Sequence, residues 1–269
     1  MDRHKLSISQ VSTPNWDFSQ DVEGYRAAGI EALAVWRDKL DLYGQAEGLA
    51  LLADSGLKVS SISDAGYFLR KTHAQSCQAI EDTLEAINLA SSLGAESLVI
   101  ITGVGGSVFR SAEQDRRIVV QALREVGPVA EACGVKLALE AVNGNRYPGN
   151  TFLSSIPDVL KLLDEISSPA AGLCFDFDHL WEEPDLKTHI ADARGRIFAV
   201  HLCDMPRLPK PPFDRRLLGE GEAPLGEILS ALVDAGYKGY FDLEIFSPEL
   251  WARDYPELIS QSLEAFARL

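Results

Sequence analysis

Four short β-favouring runs in this chain each finish on a side chain able to bind a metal ion. They are Leu137-Ala138-Leu139-Glu140, Leu173-Cys174-Phe175-Asp176, Phe198-Ala199-Val200-His201 and Phe241-Asp242-Leu243-Glu244. Brought to one point, Glu140, Asp176, His201 and Glu244 would present three carboxylates and one imidazole. That donor set suits one divalent ion of intermediate hardness: Mn2+ first, because the set is oxygen-rich, with Mg2+, Co2+ and Zn2+ as alternatives. The ion would act as a Lewis acid, while Glu140 and Glu244 could each offer an oxygen as base or acid. Taken singly, a Glu or His at a strand end is more often a cap or a salt-bridge partner; the set of four makes the argument.

The elements that must position these residues follow from periodicity. Apolar strands are expected at 6–11, 32–36, 58–63, 97–101, 135–141, 172–177, 197–202 and 240–245. Between them lie amphipathic helical segments. Ile80, Leu84, Ile87 and Ala90 show helical spacing before Gly94, and Ser111 with Gln114 is a capping-box signal for a helix ending at Gly134. Eight strands and eight helical segments in strict alternation predict a single (β/α)8 barrel, one domain over residues 1–269. An open doubly wound sheet would place a glycine-rich loop after its first strand, and Val11-Ser12-Thr13-Pro14-Asn15 has none. In a barrel the active site lies where strands end. Glu140, Asp176, His201 and Glu244 would then sit on consecutive strands, with Leu139 and Leu243 turned toward the helices.

Composition narrows the partners. Against 25 basic residues stand 40 acidic ones, a net charge of −15, which disfavours nucleic acid and anionic membrane. No apolar run approaches membrane-spanning length and no signal peptide opens the chain, so a cytoplasmic enzyme is expected. Cys77, Cys133, Cys174 and Cys203 are scattered and read as reduced thiols.

Over essentially its full length, and most strongly from Leu137 onward, the chain resembles the xylose-isomerase-like barrel superfamily of sugar isomerases and epimerases, whose members include D-tagatose 3-epimerase, hydroxypyruvate isomerase, inosose dehydratase and 3-dehydroshikimate dehydratase. The resemblance places the superfamily's metal ligands on Glu140, Asp176, His201 and Glu244. Its Asp-x-x-His motif falls on Asp176 and His179, its His-x-x-Asp motif on His201 and Asp204, and its arginine before a Gly-x-Gly turn on Arg215, with Arg216 as an adjacent competitor. It implies one divalent metal and a small sugar or polyol substrate. Glu140 and Glu244 would transfer protons through a metal-stabilised enediolate, and His179 and Arg215 would bind substrate. A metal-dependent lyase is the alternative, a dehydratase or a keto-glycoside-cleaving enzyme using the same intermediate. The superfamily's nucleases need further histidines after strands three and four, where this chain has Ser63-Asp64-Ala65-Gly66 and Thr102-Gly103-Val104-Gly105.

Other features carry weaker expectations. Asp178 is expected to leave the site or serve the loop, and His73 and His189 to lie on the surface. Trp16, Trp36, Tyr67, Phe68 and Trp181 are candidates for the wall of a sugar pocket. The loop 103–107 reads first as tight-turn glycines, with a phosphate cradle as the lesser alternative. The Pro- and Arg-rich segment from Pro206 to Arg216 could close as a lid or form a contact between copies in a homo-oligomer.

Overall fold

The computed structural model describes residues 1–103, 110–144, 146–147, 151–208 and 213–269. Eight parallel strands close into a barrel in sequence order, β8 pairing with β1. They are β1 (Leu6–Ser9), β2 (Ala32–Trp36), β3 (Lys58–Leu69), β4 (Ser97–Gly103), β5 (Lys136–Glu140), β6 (Ala171–Asp176), β7 (Ile197–Leu202) and β8 (Phe241–Leu243). Around them run α1 (Phe18–Ala27), α2 (Arg37–Tyr43), α3 (Gln45–Ser55), α4 (His73–Leu93), α5 (Ala112–Cys133), α6 (Ile156–Ile166), α7 (Phe177–Leu180), α8 (Leu186–Asp192), α9 (Leu225–Asp234), α10 (Pro248–Trp251) and α11 (Tyr255–Arg268). The (β/α)8 barrel is therefore as expected.

Local chemistry starts and stops these helices. Reciprocal capping boxes open α1 (Asp17 with Gln20), α4 (Thr72 with Gln75) and α5 (Ser111 with Gln114). Gly94 and Gly134 end α4 and α5 in the left-handed conformation that a side chain would resist. Strand alternation sorts side chains between two cores. Val99, Ile101, Ala138, Cys174 and Ala199 pack inside the barrel, while Leu139, Leu243 and their like join the larger core beneath the helices. Glu140 and Glu244 therefore face inward.

Two expectations need correction. The helix count exceeds eight, because α2 precedes α3, broken from it by Gly44 at φ +107, and α7 and α10 add single turns. The charged stretch Arg37–Tyr43 has no capping side chain, so nothing local announces α2. Strand β3 also runs to Leu69 instead of stopping at 63. Its pairing with β4 slips register twice, so bulges carry the strand through Asp64-Ala65-Gly66, a sequence that reads as a terminus. Residues 104–107 and 209–212, parts of the glycine-rich loop and of the Pro206 to Arg216 segment, lie outside the described residues. Among the described residues no helix is long and apolar enough to cross a membrane.

Candidate metal centre and active site

The ends of β5, β6, β7 and β8 meet at His201. Its Nδ1 lies 3.1 Å from Glu140 Oε1, 3.4 Å from Asp176 Oδ2 and 3.4 Å from Glu244 Oε2. All four side chains are buried. Each is set by backbone already in the barrel wall. Asp176 ends β6 and caps the turn after it, its Oδ1 accepting the Asp178 N–H at 2.7 Å and leaving Oδ2 for the cluster. Glu244 follows β8, where its N–H donates to the Leu202 carbonyl at 2.9 Å. Ser12 fastens the same stretch, donating to Leu243 O at 3.0 Å and accepting from Ile245 N at 2.9 Å.

Donor atoms about 2.1 Å from one ion lie about 3.0 Å apart at right angles and about 3.4 Å apart at tetrahedral angles. The spacings around His201 fall within this range. Of the three buried carboxylates, Asp176 and Glu244 pair with the Arg215 guanidinium, and the negative charge left on the donor set fits a divalent cation. Cys174 lies close to Glu140 and His201, but burial pushes its thiol up to about 12, leaving it a neutral neighbour.

Arg215 is 4% exposed. Its Nη1 donates to Glu244 Oε2 at 2.6 Å and its Nη2 to Asp176 Oδ2 at 3.0 Å. The neighbouring Arg216 instead pairs with Asp214 and Glu249 in a more exposed position. Of the two arginines, it is Arg215 that reaches the cluster. Asp204, the last residue of the His-x-x-Asp pattern, is not part of the cluster. Its Oδ2 accepts the N–H groups of Gly219 and Gly221, and its Oδ1 those of Met205 and Ala223, all within 2.8–3.1 Å. It ties down the turn that follows Arg215.

Asp178 does not leave the site. It is fully buried, accepting the Tyr147 hydroxyl at 2.7 Å, with Arg146 Nη2 at 3.2 Å and Arg215 Nε at 3.4 Å. The α7 turn begins directly after Asp176 and rotates Asp178 back toward the arginines. His179 packs edge-on against Tyr147, centroids 5.1 Å apart, and lines the pocket over the cluster.

The electrostatics follow from this packing. Burial, with Asp176 and Glu244 adding to it against His201, pushes the Glu140 carboxyl up to about 7. Burial also raises Glu244, although His201 and Arg215 pull the other way. Burial opposes the Asp176 carboxylate as well, but Arg215, His179 and His201 hold it well below the usual range. His179 is lowered by burial, against the pull of Asp176.

A pocket of about 330 Å³ opens above the cluster. Of the five aromatic candidates, Trp36 and Tyr67 line it. Trp16 packs instead on Tyr25 and Tyr255, and Phe68 is buried in the outer core. Trp181 packs against that core at a separate groove. Among the described residues, three lining aromatics were not singled out in the sequence: Tyr147, Phe213 and Phe246, the last two stacked with centroids 5.5 Å apart. Phe246, two residues past Glu244, could have been found from strand alternation. Tyr147 and Phe213 lie in loops without a periodic signal. His73 is exposed, whereas His189 is half-buried, its Nδ1 2.5 Å from Glu183.

The sequence pattern of the xylose isomerase-like TIM barrel family matches residues 22–269. The chain belongs to that family. Among its relatives it is 26% identical to D-psicose 3-epimerase of Enterocloster bolteae, over 95% of this chain and 89% of that one. It is 24% identical to inosose isomerase of Bacillus velezensis, over 97% and 95%. A 3-dehydroshikimate dehydratase of Pseudomonas putida is 23% identical over 90% of this chain and 38% of its own length. A crystal structure of a Sinorhizobium meliloti protein superposes with a TM-score of 0.93 at 30% identity, covering 99% of this chain and 98% of that one. Family members related to this chain are thus epimerases, isomerases and a dehydratase.

Proposed function

We propose that the protein is a divalent-metal-dependent isomerase or epimerase of a ketose or keto-polyol, with Glu140 and Glu244 as the two proton-transferring groups. The observation that carries this reading is the paired placement of the two glutamates. Each commits one oxygen to the His201 cluster, Glu140 its Oε1 and Glu244 its Oε2. Each therefore keeps a second oxygen for a substrate proton.

Glu140, Asp176, His201 and Glu244 would hold the ion, Mn2+ by their oxygen-rich donor set, with Mg2+, Co2+ and Zn2+ as alternatives. A related structure at 22% identity is described with a bound zinc atom. Such an ion, when bound, supplies Lewis-acid stabilisation of negative charge. One glutamate removes the proton α to the substrate carbonyl, giving an enediolate. The other returns a proton to the opposite face, inverting that carbon, or to the neighbouring carbon, moving the carbonyl. A carboxylate oxygen left free beside the substrate can take up that proton and give it back. His179 and Arg215 bind substrate, His179 by donating a hydrogen bond and Arg215 as a fixed cation beside the developing charge.

Incubation of the Mn2+-loaded protein with D-psicose, L-ribulose and an inosose in D2O tests this. Deuterium at the carbon next to the carbonyl is expected. An ultraviolet-absorbing enone instead identifies a dehydratase using the same proton abstraction, the chemistry named for the Pseudomonas putida relative. No exchange with any ketose removes the proposal.

A further inference from the structure

The proton-transfer chemistry uses the walls formed by β5 to β8 and leaves unexplained a built feature on the opposite wall. In a closed eight-stranded barrel β3 lies four strands from β7, so the end of β3 faces His201 across the pocket. There the β3–β4 pairing slips between Ile62 and Ala65 and again between Gly66 and Leu69. Bulges of this kind re-aim side chains beside active sites. Tyr67 takes φ +54, a left-handed conformation that is an outlier for a bulky side chain. Its glycine neighbours are closely packed. A Cβ on Gly66, at φ +99, would meet Ile101 O at 2.4 Å, and one on Gly103, at φ +91, would meet the Tyr67 backbone at 3.2 Å.

The product of this distortion is a hydrogen-bonded pair lining the pocket with Glu140 and Glu244. The Tyr67 hydroxyl donates to Asp64 Oδ2. Arg37 Nη1 donates to the Asp64 carbonyl oxygen at 3.0 Å, and the Arg70 guanidinium lies 5.2 Å over the Tyr67 ring. The phenol has one proton and gives it to Asp64. What the pair still offers a ligand is acceptor capacity: the phenolic oxygen and the second carboxylate oxygen. Acceptors of this kind bind hydroxyl donors and repel phosphate or carboxylate groups.

We propose that Asp64 and Tyr67 are specificity-determining residues that bind hydroxyls at the end of the substrate remote from the reacting carbons, so that the pocket selects an unphosphorylated polyhydroxy ketone. This rests on the isomerase reading, because that reading sets which end of the substrate lies at His201. It adds a substrate class and two residues that the proton transfer itself does not need.

Calorimetric titration of the Mn2+-loaded protein with D-psicose, 6-deoxy-D-psicose and D-psicose 6-phosphate tests it. D-psicose should bind at least about tenfold more tightly than the 6-deoxy sugar, the scale of one buried hydrogen bond to a charged group, and the phosphate should bind more weakly than D-psicose. In Tyr67→Phe and Asp64→Asn the preference for D-psicose over the 6-deoxy sugar should fall to within about threefold, with thermal melting confirming that each variant is folded. Either variant suffices if the other fails to fold. Equal binding of the 6-deoxy sugar by the wild-type protein, tighter binding of the phosphate, or a preference retained in the folded variants overturns the proposal. Deuterium exchange into D-psicose without that discrimination overturns this inference alone; neither binding nor exchange for any ketose overturns it together with the isomerase reading.

Discussion

Arg215 Nη1 lies 2.6 Å from Glu244 Oε2, and both groups are buried. The same guanidinium spans to Asp176 at 3.0 Å, so one loop residue fixes the orientation of two carboxylates contributed by different strands. Replacing it with methionine would leave those carboxylates without their cation. Arg215→Met should lower kcat for any ketose that exchanges deuterium by about 10²-fold or more and destabilise the fold by about 3–5 kcal/mol. Steady-state kinetics and urea denaturation read the two effects separately. Wild-type kcat in the folded variant would remove Arg215 from the mechanism.

The two glutamates should separate metal binding from turnover. Glu244→Gln keeps an oxygen ligand but no base, so it should hold much of the metal while losing about 10²- to 10⁴-fold in deuterium exchange. Metal content by elemental analysis, alongside exchange rates followed by NMR, provides the check. Full exchange in this variant would end the two-base scheme.

Chelation should have a pH-dependent effect on stability. Glu140 titrates near 7 in the folded chain against an ordinary 4.5. A raised carboxyl stabilises below the ordinary value, and that contribution is lost as pH rises through about 7. The metal-free protein should therefore weaken between pH 5 and 8 in this respect. Metal binding, which needs the ionised carboxylate, should strengthen over the same window. The melting-temperature gap between loaded and chelated protein is expected to widen as pH rises; a gap that does not change with pH would contradict this.

Asp204 should act through the loop it anchors. Asp204→Ala removes the acceptor for four backbone N–H groups, and the loss expected is about 3 kcal/mol or more. Turnover should fall as well, because the turn after Arg215 is released. In Gly221→Ala the new Cβ would stand 2.3 Å from Asp204 Oδ1, so this variant should show the same pair of defects. Unchanged melting in both would refute the anchoring role.

A second buried ion pair gives a pH test away from the site. Lys39 Nζ lies 2.7 Å from Asp21 Oδ2, with Thr13 donating to the other Asp21 oxygen at 2.6 Å. Burial, opposed by Lys39, pushes the Asp21 carboxyl up to about 6. Its favourable contribution is present below 3.8 and lost as pH rises through about 6. Lys39→Met leaves an unpaired buried carboxylate at high pH, costing about 3–5 kcal/mol there, but a protonated acid at pH 5. Denaturation of the variant at pH 5 and pH 8 should show the larger deficit at pH 8.

Much of this protein was legible in sequence because its signals are local. Strand alternation depends only on the two-residue repeat of an extended chain, and it placed Glu140 and Glu244 on the inward face before any contact was known. Capping boxes such as Ser111 with Gln114 are closed within a single turn. Helix α2 was hidden because its charged residues carry no cap, and the length of β3 because its bulged end contains turn-forming residues.

The chain alone therefore determined the barrel and the four strand-end side chains, since both follow from short-range periodicity and residue chemistry. Tertiary structure decided the groups around those four. Arg215 was chosen over Arg216 by a turn tied to Asp204, fifteen residues from Gly219. Asp178 was turned inward by α7 and held by Tyr147, thirty-one residues earlier. The Asp64–Tyr67 pair was aimed into the pocket by bulges against β4. In each case the side chain's direction depends on backbone bonds or packing between segments distant in sequence, which no local pattern records.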